Sequence, residues 1–176
     1  MDHPSPAALA EQGKQEYEMG KFAAAADLFS QAAQAYNNVD NALNAAEMKN
    51  NQSVALLQAG KAKEALEVTD GTEEIFQQAG DLKRQGIAVG NRAAALEGLK
   101  QWDEALAEYD RAATILEQAG EGDMHSVVRK AAANLNLKRG RITDTQMDVY
   151  DSLRLVKKPT LTQRFIKFLM RIGLVR

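Results

Sequence analysis

Three glycines of this chain, Gly20, Gly60 and Gly140, lie on a ladder with steps of 40 residues, and Lys100 occupies the rung without a glycine. A fixed period of this length is typical of stacked supersecondary units whose core forms only between neighbours. The sequence therefore predicts a repeat solenoid, which acts through a surface and not through a catalytic pocket. After three of the rungs the chain repeats one pattern of a polar residue, an apolar residue, two variable residues and alanine: Lys21-Phe22-Ala23-Ala24-Ala25, Lys61-Ala62-Lys63-Glu64-Ala65 and Gln101-Trp102-Asp103-Glu104-Ala105.

The composition suits a soluble, mostly helical protein. The 176 residues are 45% apolar and 26% charged, with three prolines and few aromatic residues. Cysteine is absent, which excludes a disulfide framework, a thiolate metal site and a cysteine nucleophile. The first residues show no basic region followed by an apolar stretch, and no run approaches the roughly 20 apolar residues of a membrane span. We therefore expect a cytoplasmic protein.

Apolar periodicity predicts two helices in each 40-residue unit, separated by glycine or polar turns. Small residues lie where the paired helices must approach, as at Gly13 and Ser53 in first helices and Ala25 and Ala65 in second helices. The predicted helices cover residues 6–19, 22–37, 41–58, 62–79, 82–98, 102–119, 124–138 and 142–156.

Two of the units resemble the tetratricopeptide repeat, or TPR. The resemblance rests on Gly13, Gly20, Phe22, Ala25, Phe29 and Ala32, and on Ala93, Trp102, Ala105, Tyr109 and Ala112. The longer period is similar to the long-helix variety found in regulatory and scaffold proteins. The resemblance implies an all-α, right-handed superhelical solenoid of four TPR-like hairpins (residues 6–40, 41–80, 81–120 and 121–156). Outside the repeats, the sequence predicts a disordered N-terminus (residues 1–5) and a C-terminal amphipathic helix (residues 157–176).

The second and fourth units depart from the TPR pattern. In the second unit Thr69 and Thr72 replace the aromatic residue and the alanine of the second helix. Gly71 interrupts the same helix and is expected to loosen it by about 1 kcal/mol relative to alanine. The fourth unit is degenerate throughout its second helix, as is usual at the end of a solenoid.

The resemblance implies that first helices line a concave groove. Asn51 and Asn91 occupy equivalent places 40 residues apart and match an asparagine that many peptide-binding TPR proteins use on the ligand backbone. Asparagine on a helix also faces water without any ligand, so both interpretations stay open. Ile87 and Asn91 stand where chaperone-binding members carry cations, which excludes that role. The candidate peptide-binding residues are Lys14, Tyr17, Asn50, Asn51, Asn91, Lys130 and Asn134.

The sequence shows no constellation that would carry catalysis or hold a metal. Its two histidines, His3 and His125, are 122 positions apart and have no metal-ligand spacing around them. Carboxylate pairs such as Glu73-Glu74 lie on an acidic helical surface without the dry cleft that pKa tuning requires. We therefore expect no enzyme activity, no cofactor and no metal.

The segment beyond the repeats is basic and amphipathic. No acidic residue follows Asp151, whereas seven Lys and Arg residues do, so residues 154–176 carry +7 and residues 1–153 carry about −9. Thr160 is predicted to cap a helix over residues 161–174. The candidate membrane or partner contacts on it are Arg164, Phe165, Lys167, Phe168, Arg171 and Ile172.

The apolar face of this predicted helix requires a cover. It is expected to cap the solenoid, to lie in a membrane interface, or to insert into a partner or another copy of the chain. Nucleic acid is disfavoured because the acidic body would repel phosphate. The sequence thus predicts a non-catalytic adaptor that binds a peptide or helix of another protein, with a peripheral membrane scaffold factor, anchored by the basic helix, as the alternative.

Overall fold

The computed structural model describes residues 4–156, Thr160 and Gln163, and of residues 142 and 143 the backbone alone. Helices and turns, and no strand, make up this part of the chain. The helices are α1 (Pro6–Glu18), α2 (Phe22–Asn37), α3 (Ala42–Gln58), α4 (Ala62–Val68), α5 (Thr72–Gln78), α6 (Leu82–Gly98), α7 (Trp102–Gln118), α8 (Gly122–Lys138) and α9 (Ile142–Arg154).

Helices that are adjacent in sequence pack as hairpins, which stack on one another. The hairpins are α1 with α2, α3 with α4 and α5, α6 with α7, and α8 with α9. One apolar cluster extends from α1 to α4 and includes Ala95 of α6, and a second extends from α6 to α8, so most of the core lies between helices. The predicted all-α solenoid is confirmed. Ser5, which the sequence assigned to the disordered N-terminus, accepts a hydrogen bond from the Ala8 N–H and caps α1.

The turns between helices share a left-handed residue. Gly60 has a φ of 77°, and Lys100, on the ladder position without glycine, has a φ of 62°. A residue with a Cβ is strained in this conformation, whereas glycine is not. The sequence pattern therefore marked a backbone conformation that the chain keeps even where the residue has changed.

We expect Lys100→Gly to raise the free energy of unfolding by about 0.5–1 kcal/mol, because it removes the strain of the left-handed conformation. The gain is smaller than the full strain energy, because glycine also increases the conformational entropy of the unfolded chain. Urea unfolding would measure this change. Gly60→Lys is the reciprocal control, since no atom lies within 4 Å of a Cβ added there, so only its φ of 77° opposes the side chain. Equal stability of Lys100→Gly and wild type would contradict the expectation.

The helix predicted over residues 62–79 is broken, and this prediction was wrong. α4 ends at Val68 and α5 begins at Thr72, with Gly71 in the left-handed region at a φ of 78°. The Thr69 hydroxyl donates to the Leu66 carbonyl and the Thr72 hydroxyl to the Thr69 carbonyl, each at 2.7 Å. These bonds offer the backbone an alternative to a continuous helix.

The break changes how the second unit packs. α5 turns its Phe76 side chain into a small cluster with Ala46 of α3 and Ala88 of α6. As a result α3 and α6 contact each other directly as well as through α4 and α5. This contact lies at the middle of the layer of first helices, where the sequence predicts the groove.

Candidate protein-binding groove

An open apolar cleft of about 470 Å³ lies between α1 and α3. Its floor includes Phe29 of α2, which approaches α1 closely because Gly13 has no side chain: a Cβ there would lie 2.9 Å from the ring. This space, the N-terminal cleft, is lined by Ala7, Ala10, Glu11, Lys14, Tyr17, Phe29, Tyr36, Met48, Asn51 and Val54. The α1 residues recur at helical spacing, so one face of α1 forms one wall of the cleft.

A second apolar cleft of about 210 Å³ lies between α6 and α8. Val127 on its rim is 60% exposed. This space, the C-terminal cleft, is lined by Ile87, Gly90, Asn91, Ala94, Tyr109, Leu116, Met124, Val127, Val128 and Ala131.

Tyr109 forms the floor of the C-terminal cleft with its hydroxyl fixed. The hydroxyl donates to Glu97 Oε2 at 2.9 Å, and Lys138 Nζ lies 2.8 Å from Glu97 Oε1. Burial and the Glu97 carboxylate raise the pKa of Tyr109, so the phenol stays protonated. The cleft therefore has an ordered apolar floor and no reactive group.

Between the two clefts, an ion-pair group joins α3 to α6. Arg84 of α6 contacts Glu47 of α3 at 3.1 Å and Asp81 at 2.6 Å, and its guanidinium lies 5.3 Å from the Phe76 ring centroid. The Arg84 backbone N–H donates to Asp81 and lowers the pKa of that carboxyl. The charge group holds the first helices of the second and third units together.

The structure brings four of the predicted peptide-binding residues to the clefts. Lys14, Tyr17 and Asn51 line the N-terminal cleft, and Asn91 lines the C-terminal cleft. Lys130 and Asn134 are exposed on α8, outside the lining of either cleft.

Asn50 differs from its expected position because its side chain is only 4% exposed. Ala46, one helical turn before Asn50, packs against Phe76 of α5 and Ala88 of α6. The broken second unit therefore covers the face of α3 that carries Asn50. Its Oδ1 has no hydrogen-bond partner.

Several lining residues were missed by sequence reasoning. Tyr36, Met48 and Met124 are apolar and follow the helical spacing of a core face, so the sequence does not separate them from core residues. Of these three, only Met48 could have been assigned to the groove from the sequence, because it lies three residues before Asn51 and hence on the same side of α3.

Charge is divided between the two helical layers. The first helices α1, α3, α6 and α8 contain 6 Asp and Glu and 8 Lys and Arg residues. The second helices α2, α4, α5, α7 and α9 contain 13 acidic and 3 basic residues. The layer that carries the clefts is therefore slightly cationic, whereas the opposite layer is strongly anionic.

Buried titratable side chains form a polar cluster between α8 and α9. His125 is fully buried, with Nε2 3.4 Å from Asp151 Oδ2 and no hydrogen-bond partner on either ring nitrogen. Arg129 of α8 contacts Asp110 of α7 and both Asp148 and Asp151 of α9. In the part of the chain that the structure describes, no group of acids and histidines has the arrangement of a metal site.

Burial lowers the pKa of His125 from its usual value, although Asp151 opposes this. The folded state thus binds the proton more weakly than the unfolded chain, and stability falls as the pH drops below about 6.5. Burial raises the pKa of Asp148, so its protonation favours the folded state and acts in the opposite direction. We expect His125→Gln to reduce the fall in melting temperature between about pH 7 and pH 5.

Thermal unfolding of wild type, His125→Gln and His3→Gln over this interval is the measurement. His3→Gln changes the other histidine of the chain and is expected to keep the wild-type slope. A slope that is the same in all three proteins would show that His125 does not control the acid response.

A family model described as "SNAP: Soluble NSF attachment protein" matches residues 7–168. The match includes all the helices described above and both clefts. No curated protein matches the chain.

Proposed function

Because this chain belongs to the soluble NSF attachment protein family, we propose that it is a non-catalytic cytoplasmic adaptor whose first helices hold a helix or extended peptide of a partner. The family consists of helical-repeat adaptors that bind other proteins, among them SNARE and NSF complexes. The observation that supports the groove is the pair of apolar clefts in one helical layer, each with an asparagine on its wall.

The two clefts suit a partner with two separated apolar anchors. Tyr17 and Phe29 offer aromatic surface in the N-terminal cleft, and Val127 offers aliphatic surface in the C-terminal cleft. Buried apolar anchors supply most of the binding energy in such interfaces, and the polar groups around them fix orientation. Asn51 and Asn91 each offer a donor and an acceptor for a partner backbone or side chain.

Charge supports the same face. Lys14 lines the N-terminal cleft and has no ion pair among the described residues, so its charge is available to a partner. Since α6 and α8, the helices of the C-terminal cleft, carry six basic and two acidic residues, the partner that we propose is an amphipathic, acidic helix, as in a bundle of SNARE type. No helix within the described ranges is long and apolar enough to cross a bilayer.

We expect Asn51→Ala combined with Asn91→Ala to weaken binding about fivefold or more, because each lost hydrogen bond contributes roughly 0.5–1.5 kcal/mol. Titration calorimetry against a purified, soluble SNARE four-helix bundle would measure the affinity, and circular dichroism would verify that helicity is unchanged.

Asn37→Ala combined with Asn38→Ala is the matched control, since both residues are exposed at the end of α2, outside the clefts. Unchanged affinity of the Asn51 and Asn91 double variant would remove the groove from the proposal. If the wild type binds no SNARE bundle but captures another protein in a way that both asparagines control, the groove would stand and the partner class would change.

A further inference from the structure

Helix α9 presents a polar face to α8. Asp148 Oδ2 accepts a hydrogen bond from Asn136 Nδ2 at 2.8 Å, and Asp151 Oδ2 lies 2.7 Å from Arg129 Nε. Thr145 Oγ1, on the same side, lies 3.4 Å from the Ala133 carbonyl oxygen. These contacts fix the rotation of α9 about its axis.

With α9 rotated in this way, a second face is apolar. Val149 and Leu153, four residues apart, lie on this face beside the polar side chains that face α8, and Val156 follows just beyond the end of α9. Leu153 is 3% exposed, although it belongs to none of the apolar clusters that the described residues form. Val149 and Val156 are half-buried on either side of it in the sequence.

Thr160 and Gln163, the two described residues beyond this face, form a reciprocal pair of hydrogen bonds. The Thr160 N–H donates to Gln163 Oε1 at 2.8 Å, and the Gln163 N–H donates to Thr160 Oγ1 at 3.3 Å. This reciprocal pair is a capping box, which marks the first turn of a helix. Thr160 follows Val156 by four residues, and connections of this length join helices that pack as antiparallel neighbours.

We propose that residues 161–175 dock through their apolar side chains on the stripe formed by Val149, Leu153 and Val156 of the same chain, so that the tail caps the solenoid. Charge favours this occupant, because the tail is basic and the second helices, α9 among them, are strongly acidic. A membrane surface and a second copy of the chain, the other two covers that the sequence predicts, are outcomes of the test below.

Hydrogen exchange of the full chain at low micromolar concentration, without lipid, tests the docking. We expect slow exchange of the amides of residues 161–175. Val156→Asp should raise their exchange at least about tenfold, because a carboxylate cannot be buried under the tail without a partner. Val156 lies beyond the last residue of α9, Arg154, so the change is not expected to unfold α9.

Met147→Asp is the matched control. It introduces the same charge in place of another apolar residue, but Met147 is 71% exposed and lies on the outer side of α9. The amides of residues 122–138 report the integrity of α8 in both variants. We expect Met147→Asp to leave the protection of the tail unchanged.

Four results would overturn the proposal. They are fast exchange of residues 161–175 in the wild type, protection that appears only as protein concentration rises, protection that appears only with phosphatidylserine vesicles, and equal effects of Val156→Asp and Met147→Asp. None of these results bears on the affinity of the clefts for a partner, so the proposed groove would be judged separately.

Discussion

Replacing Phe76 by alanine is expected to lower the free energy of unfolding by about 3–5 kcal/mol, the usual loss for a fully buried aromatic side chain. Phe76 is 0% exposed and fills the space between Ala46 of α3 and Ala88 of α6. Two alanines cannot collapse into the vacated volume. α5 has seven residues and no side-chain cap, and Phe76 is its only large buried side chain among the described contacts.

Urea unfolding followed by circular dichroism would measure the loss. Gln77→Ala is the matched control, because Gln77 is the next residue of α5 and is exposed; its effect should stay within about 0.5 kcal/mol. A loss below about 1 kcal/mol for Phe76→Ala would mean that α5 is held by other contacts.

The repeat pattern predicted most of the fold because each local signal agreed with the packing. Small residues at Ala25, Ala65 and Ala105 are completely buried at helix contacts, as expected from their spacing. At Lys100 the residue type alone does not predict the left-handed φ, but the position in the 40-residue period does. Where several turns share one geometry, the period is a better guide than the single residue.

The break at Gly71 was not predicted because the cost of glycine in a helix and the energy of tertiary packing are similar in size. Glycine costs a helix about 1 kcal/mol, which tertiary packing often exceeds. Here packing acts against the continuous helix, because the break allows Phe76 to be buried between α3 and α6. The sequence shows the cost at Gly71 but not where Phe76 will be placed.

The candidate groove was predicted in part for the same reason. Asn51 and Asn91 lie at equivalent places of regular units, and both line a cleft. Asn50 is the neighbour of Asn51, but about 100° of helical rotation turns it toward the face that the broken unit covers. The placement of Asn50 thus depends on packing between units, which a single repeat does not encode.

Replacing Arg129 by methionine is expected to lower the free energy of unfolding by about 3 kcal/mol at neutral pH, because it leaves the buried Asp148 carboxylate without its cation. The Arg129 side chain is 18% exposed and that of Asp148 is 12% exposed, so water can solvate the Asp148 carboxylate only weakly once Arg129 is gone. The partners of Arg129 come from α7 and α9, and they are too far apart in sequence for the cluster to be predicted. Urea unfolding at pH 7 would measure the loss.

The response to pH distinguishes this electrostatic loss from lost packing. Burial already raises the pKa of Asp148, and removing Arg129 is expected to raise it further. A protonated Asp148 needs no cation, so the deficit of Arg129→Met should shrink as the pH falls from about 7 toward 5.

Arg111→Met is the matched control: Arg111 contacts Glu73 and Glu108 at 2.7 Å, but its side chain is 49% exposed, so its loss should stay within about 1 kcal/mol. A deficit for Arg129→Met that is equal at both pH values would instead assign the loss to packing of the arginine stem.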